Sequence, residues 1–339
     1  MDVMSLYLKS NNENDFISSV ENQGINNVNK LFIDIENLLK ECNEVFKKEP
    51  FKLISFPVSK SWHTQNYCIK NNYIKINYAS EKLKNLLHPQ LAYLTTLSNT
   101  SFEHEFHVFL EKDLIHLFHN KKHSGSFTKS NYHLLQGQFA MELLCVLTNT
   151  EELDWLGTFH ASTISYNQEA IMLVGESGKG KSTLSALLMA NGYNFVADDF
   201  TPIHAKTQTV YNFPNAISIK EGSFQILEPL IKNFSTSVTN TRNSSKGDFR
   251  YIKPFNINTE KSLSCSKMVI VNYKENAETT LKEVSIDYLL NILIPDSWLS
   301  PNSKNAAYFL NWLDKITVYE LTYSDNKEVL IKFKELFNN

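Results

Sequence analysis

The chain has 339 residues, 42% hydrophobic and 20% charged, with a formal net charge of −3. That supply of apolar side chains excludes a wholly disordered chain. The near-balanced charge excludes a global basic field, so neither nucleic acid nor an anionic membrane is an expected partner.

No apolar run reaches the roughly 18–20 residues of a membrane span. The start, MDVMSLYLKSNNENDF, lacks the basic opening and apolar stretch of a secretory signal. The four cysteines, Cys42, Cys68, Cys145 and Cys265, are far apart and form no CxxC. Neither a disulfide framework nor a zinc knuckle is indicated, and a reducing, cytoplasmic setting is expected.

Residues 1–30 are polar and Asn-rich, which predicts a loosely packed start. LFIDIENLLKECNEVF (31–46) carries apolar residues near helical period. FKLISF (51–56) and YCIKNNYIKINY (67–78) read as strands, the second pair with an Asn71-Asn72 turn. SEKLKNLL (80–87) predicts a helix ending before Pro89. FEHEFHVFL (102–110) and DLIHLFH (113–119) alternate like paired strands, and NYHLLQGQFAMELLCVL (131–147) has a helical apolar face. His104, His107, His116, His119 and His123 fall on mixed strand faces without an acidic or cysteine partner set, so zinc is not expected. The softest joint is LTNTEEL, which predicts one α/β region over 1–150 and a second domain over 151–339.

Beyond that joint, WLGTFHASTISY (155–166) reads as a strand, AIMLV (170–174) as a buried strand, STLSALLMANG (182–192) as a helix capped at Gly192, and NFVADDF (194–200) as a short strand ending in two carboxylates. TPIHAKTQTVYNF reads as a hairpin and EGSFQILEPL as a helix start. Residues 231–250 read as a long polar loop. MVIVNY (268–273), SIDYLLNILI (285–294), ITVYELTY (316–323) and NKEVLIKFKELF (326–337) read as strand, helix, strand and helix.

Glycine is scarce, 10 in all, yet Gly175, Gly178, Gly180 and Gly192 cluster. GESGKGKS (175–182) matches GxxxxGK[ST], with an apolar strand before it and a helix after. Glycines let successive amides turn onto phosphate oxygens, and a helix N-terminus adds unpaired donors and the positive dipole end. The binding set is therefore Gly175, Glu176, Ser177, Gly178, Lys179, Gly180, Lys181, Ser182 and Thr183. Lys181 can reach the terminal phosphates and the Ser182 hydroxyl can ligate Mg²⁺. Asp198 and Asp199 end the next strand. By pattern, either one holds metal while its neighbour faces an acceptor, or one is a metal ligand and the other a cap.

HASTISYNQEAIMLVGESGKGKSTLSALLMANGYNFVADDFTPI (160–203) resembles HPr kinase/phosphorylase and HPr-kinase-related proteins. His160 stands 15 residues before Gly175, as in that family, and VADD follows at the family's interval. PNAISIKEGS (214–223) and SKGDFRYIKP (245–254) look like two further family segments, so the resemblance covers about 160–275. It implies an α/β P-loop kinase fold of the type shared with phosphoenolpyruvate carboxykinase. It implies ATP and Mg²⁺ as cofactors, and Lys181 with the loop amides on the phosphates. Ser182 and Asp199 would hold Mg²⁺, with Glu221 a further ligand. Asp198 would be the general base, with His160 beside it. Thr183 stands where HPr kinases usually carry Glu, so HPr itself is not the implied acceptor. Residues 1–150 look like the leading region of HPr-kinase-related proteins found beside peptide-modification genes.

Only two arginines exist, Arg242 and Arg250. A guanidinium forks onto phosphate in a way lysine cannot copy. Arg250 is therefore expected at the transferring phosphoryl or the acceptor, assisted by Lys246.

The expected activity is Mg-ATP-dependent transfer of a phosphoryl group to a serine hydroxyl of a peptide or protein, such as a ribosomally made precursor. Two alternatives are a kinase for free serine or a similar small molecule, and a non-catalytic nucleotide-binding regulatory module. Oligomeric state is left open, homo-oligomers included.

Overall fold

The structure is a computed structural model that describes residues 3–25, 27–43, 54–57, 61–97, 101–240 and 248–338. The chain divides into two compact units, Met1–Ile54 and Ser55–Asn339. The boundary read at 150/151 thus falls inside the second unit.

The first unit holds three helices, α1 (Val3–Lys9), α2 (Glu13–Glu21) and α3 (Val28–Asn43). The loosely packed start expected from its polar composition is instead helical. Asn12 caps α2 by accepting from the Asp15 amide at 3.0 Å, and Leu6, Phe16, Val20, Val28 and Ile35 close a small core of their own. A few apolar residues at helical spacing suffice, because Phe16 and Val20 are fully covered. The expected helix over 31–46 begins earlier, at Val28, and its residues 44–46 lie outside the described residues.

The second unit opens with β1 (His63–Ile69), β2 (Asn72–Tyr78), α4 (Glu81–Leu91), β3 (His104–Glu111), β4 (Leu114–His119), β5 (Lys122–Thr128) and α5 (Tyr132–Thr148). The strands form one sheet in the order β1-β2-β3-β4-β5, antiparallel except for β2 and β3, which α4 joins as a crossover. The first hairpin turns on Lys70 and Asn71, both at positive φ (48° and 67°), one residue earlier than expected. The helix expected to stop before Pro89 runs on to Leu91, where burial of Pro89 and Leu91 holds the last turn. Of the strand read at 51–56, residues 51–53 lie outside the described residues, and Ile54, Ser55 and Phe56 are not strand.

Next come β6 (Trp155–Phe159), β7 (Ser162–Tyr166), β8 (Glu169–Val174), α6 (Lys181–Ala190), β9 (Asn194–Ala197), β10 (Thr201–His204), β11 (Val210–Tyr211) and β12 (Ile217–Lys220). The chain closes with α7 (Phe224–Leu227), β13 (Val238–Asn240), β14 (Phe249–Ile252), β15 (Ser262–Tyr273), β16 (Thr280–Val284), α8 (Ile286–Leu293), β17 (Trp298–Leu299), α9 (Ser303–Leu313), β18 (Thr317–Tyr323) and α10 (Asn326–Asn338). A ten-stranded sheet runs β17-β6-β10-β11-β15-β8-β7-β9, with β18 joining β15 and β16 joining β18. Within it β8, β15 and β18 are mutually parallel.

Those parallel strands are buried on both faces, with residue parity setting the side. Ile171, Leu173, Val269 and Val271 pack with Leu184 and Leu188 of α6 and Val329 and Phe333 of α10. Ala170, Met172, Val174, Met268 and Ile270 pack with Leu289 of α8 and Trp312 of α9. The five-stranded sheet shares a third core with Trp155, Ala197, Phe200 and Phe213. The result is a mixed α/β fold with several sheets. No described helix is long and apolar enough to cross a membrane.

Two expectations fail here. The strand read over 155–166 is two strands, because the chain turns at His160 and Ala161. The polar stretch 231–250 is not all loop: β13 and β14 pair with each other, and β14 pairs with β12, in a small three-stranded ribbon.

Candidate functional site: the phosphate loop and its carboxylates

β8 delivers the loop at the carboxyl ends of the parallel strands, where open α/β sheets bind ligands. Gly175, Gly178 and Gly180 hold φ of 146°, 92° and 99°, values an L side chain rarely adopts. A Cβ at Gly175 would stand 2.9 Å from the Val271 carbonyl oxygen, so any larger residue would push the loop off its strand. Gly180 is the N-cap of α6. The helix ends in a Schellman arrangement, with the Gly192 amide on Met189 O (3.3 Å) and the Tyr193 amide on Leu188 O (3.2 Å).

Lys181 is 5% exposed, and its Nζ donates to the carbonyl oxygens of Gly175 (2.7 Å) and Glu176 (3.4 Å). Burial holds this ammonium below the ordinary lysine value; Lys220 acts in the same direction, and Asp199, Asp198 and Asp296 oppose it. The lysine therefore lies inside the loop it serves, its charge offset by nearby carboxylates.

The two aspartates differ sharply. Asp198 is 1% exposed. It accepts from the Ser162 hydroxyl and from the Ser218 amide at 3.2 Å, and the Ser182 hydroxyl of the loop acts to lower its pKa. Burial first, then the neighbouring Asp199, pushes its pKa up to about 8. Asp199 turns the other way: its φ is 59°, its side chain is 33% exposed, and its Oδ1 lies 3.7 Å from Nδ1 of His160.

This exchanges two expected partnerships. His160 lies beside Asp199, and Ser182 bears on Asp198, where the resemblance implied the opposite partners. The cause is the backbone: β9 ends at Ala197, Asp198 continues inward beneath the loop, and the left-handed turn at Asp199 swings its carboxylate outward. The β6–β7 corner carrying His160 meets the β9–β10 corner carrying Asp199. Thr201 locks them together, bonding Thr163 Oγ1 at 2.9 Å and the Ala161 carbonyl at 2.9 Å.

The other expected residues scatter. Glu221 is exposed, and its carboxylate accepts from the Asp248 amide at 3.4 Å, so it is not brought together with Ser182 and Asp198. Thr183 bonds the Ser223 hydroxyl at 2.7 Å, tying α6 to the turn before α7. Arg250 sits opposite Ile219 in the β12–β14 register and therefore faces the core with it. Its guanidinium lies 4.3 Å from the Phe224 ring centre and 5.0 Å from that of Phe234, with Nε and Nη1 buried and unpartnered. Register thus sets this side chain against those rings, on the face opposite Ser218 and Lys220. Arg242 and Lys246 lie outside the described residues.

Sequence reasoning missed Lys220. One residue along β12 from Ile219, it faces the other way, and its Nζ donates to Ser177 Oγ at 3.3 Å. The signal lay in ISIK: buried Ile217 and Ile219 alternate with Ser218 and Lys220, and the Ser218 amide already marks the site face.

No protein-family model matches the chain, and no curated protein sequence matches it. Among solved structures, the Hpr(Ser) kinase/phosphatase from Coxiella burnetii is similar over 53% of this chain and 96% of that one, at 12% identity and a TM-score of 0.24. At that score the likeness carries no functional argument, which rests on the side chains above.

Proposed function

We infer that the protein is a Mg-ATP-dependent kinase that transfers the γ-phosphoryl group to a serine hydroxyl of a peptide or protein. One observation carries the reading: a GxxxxGKS loop at the carboxyl edge of a parallel sheet has a buried carboxylate, Asp198, on which its serine bears and an outward carboxylate, Asp199, beside a histidine.

The residues fit the groups they would hold. The three positive-φ glycines give the loop a backbone that side chains would strain or displace, with Lys181 buried inside it and Lys220 reaching it from β12. Among the described residues no three His, Cys, Asp or Glu side chains are arranged to hold a metal. Magnesium does not require such a cluster, since it commonly takes one or two protein oxygens and completes its shell with water and phosphate. Ser182 and Asp198 are the pair that would hold it. When bound, Mg²⁺ supplies charge neutralisation to the phosphates.

The roles then follow from exposure. Asp198 is buried, with one oxygen engaged by Ser162 and the other by Ser218. Asp199 is open, so it takes the proton of the acceptor hydroxyl while that oxygen bonds to the γ-phosphorus and the β–γ bridging oxygen leaves with ADP. His160 positions Asp199. Little basicity is needed, because a loose phosphoryl transition state depends mainly on alignment and charge. Lys181 and Lys220 neutralise the charge on the phosphate oxygens.

Incubation with Mg-ATP and serine-containing peptides, followed by mass spectrometry, tests the proposal. A phosphate added at a serine is expected. Phosphorylation of free serine with no peptide modified would move the acceptor to the small-molecule class. ATP binding without any transfer would leave only a nucleotide-binding module.

A further inference from the structure

The loop and its carboxylates account for the phosphate end of a nucleotide but not for its base. Three parallel strands end together at this edge. Gly175 follows β8, while Tyr273 ends β15 and Tyr323 ends β18, paired in register. Ligands of open α/β sheets lie in the crevice beyond such ends, so the space over Tyr273 adjoins the phosphate loop.

Tyr273 is tied to that loop. Its amide donates to the Lys179 carbonyl at 3.2 Å, and its Cβ lies 3.3 Å from where a Cβ on Gly180 would stand. Tyr273 is nevertheless 41% exposed, while its register partner Tyr323 on β18 is 1% exposed. The two rings meet edge to face, with centres 5.5 Å apart and planes at 76°, a favourable aromatic geometry. An exposed ring, braced edge to face by its neighbour on the next strand and anchored to a phosphate-binding loop, is a stacking surface for a flat heteroaromatic ligand.

Tyr288 is equally exposed, but its hydroxyl donates to Glu320 at 3.2 Å and the charge of Glu176 bears on it. That acidic flank suits a phosphate-bearing ligand poorly.

We propose that Tyr273 is the base platform of the nucleotide site, so that the ligand is a purine nucleoside triphosphate and not a bare polyphosphate. This rests on the phosphate-loop reading above and adds the identity of the far end of the ligand. Purines are favoured because the larger ring system covers more of the tyrosine face.

Calorimetric titration of the full chain with Mg-ATP and with Mg-tripolyphosphate separates the two claims. Wild-type protein is expected to bind ATP about tenfold more tightly than tripolyphosphate, the contribution of one stacked base. Tyr273→Ala should abolish that ratio by weakening ATP alone. Tyr273→Trp and Tyr273→Phe should keep it, and Tyr288→Ala should leave it unchanged. The ratio is taken within one preparation, so partial misfolding does not mimic the effect. Equal affinities for the two ligands in wild-type protein, an unchanged ratio in Tyr273→Ala, or a loss that follows Tyr288→Ala would overturn the platform while leaving the phosphate loop intact. Absence of binding by either ligand would overturn both.

Discussion

The phosphate loop and the β12–β13–β14 ribbon meet where Lys220 reaches Ser177, yet they are built on different principles. The loop is local. Its glycines, lysine and serine lie within eight consecutive residues between a buried strand and a helix, and each takes its place from its immediate neighbours. The ribbon is non-local. Whether a side chain faces the loop or the core depends on how β12 registers with β14, about thirty residues away. Ser218 and Lys220 fall on the site face, whereas Ile219 and Arg250 fall on the core face. A cation's chemistry therefore says less about its role than the parity of its strand position.

Substitutions can break or sharpen this contrast. The largest effect is expected at the local motif: Lys181→Ala should lower turnover of Mg-ATP by about a thousandfold, the loss seen when a preorganised charge donor is removed. Steady-state ADP release measures it, and a change below tenfold would contradict the assignment. Lys220→Ala should cost about ten- to a hundredfold in turnover, in line with one charge-assisted contact to phosphate.

A smaller effect distinguishes the carboxylates. Folded protein keeps a proton on Asp198 up to about pH 8, whereas an unfolded aspartate loses it near pH 4. The folded state binds the extra proton between those values, so stability should fall as pH rises from about 4 to 8. Thermal melts of metal-free protein should show that slope, and Asp198→Asn should flatten it; identical slopes would place the titration elsewhere. The smallest change in turnover belongs to Arg250→Lys. Loss of the stacked guanidinium should cost about 0.5–2 kcal/mol of stability with turnover nearly intact, and a kinetic defect larger than that of Lys220→Ala would reverse the two assignments.

What could be read from the residues follows the same division. The α/β class was legible because the parallel strands are apolar runs, and the hairpin of His104–Glu111 with Leu114–His119 because two short apolar-rich runs flank a Lys112-Asp113 turn. The loop, its helix and the Gly192 ending were legible because each is a short-range pattern. The helical start was not, since its five core residues are scattered among polar ones. The pairing of Asp198 and Asp199 was not either. It depends on one left-handed residue and on which strand corner meets which, and a linear pattern carries neither. The sides taken by Lys220 and Arg250 were not legible, because they depend on the β12–β14 register, which no local pattern carries.

The division of labour between adjacent carboxylates is the central claim, and one paired assay tests it most directly. Phosphoryl transfer and ATP affinity are measured for wild-type, Asp199→Asn and Asp198→Asn protein across a magnesium titration. The account predicts that Asp199→Asn loses about a hundredfold in transfer with ATP affinity and magnesium dependence retained, while Asp198→Asn requires far more magnesium. Transfer that survives in Asp199→Asn, with magnesium dependence unchanged in Asp198→Asn, would contradict it.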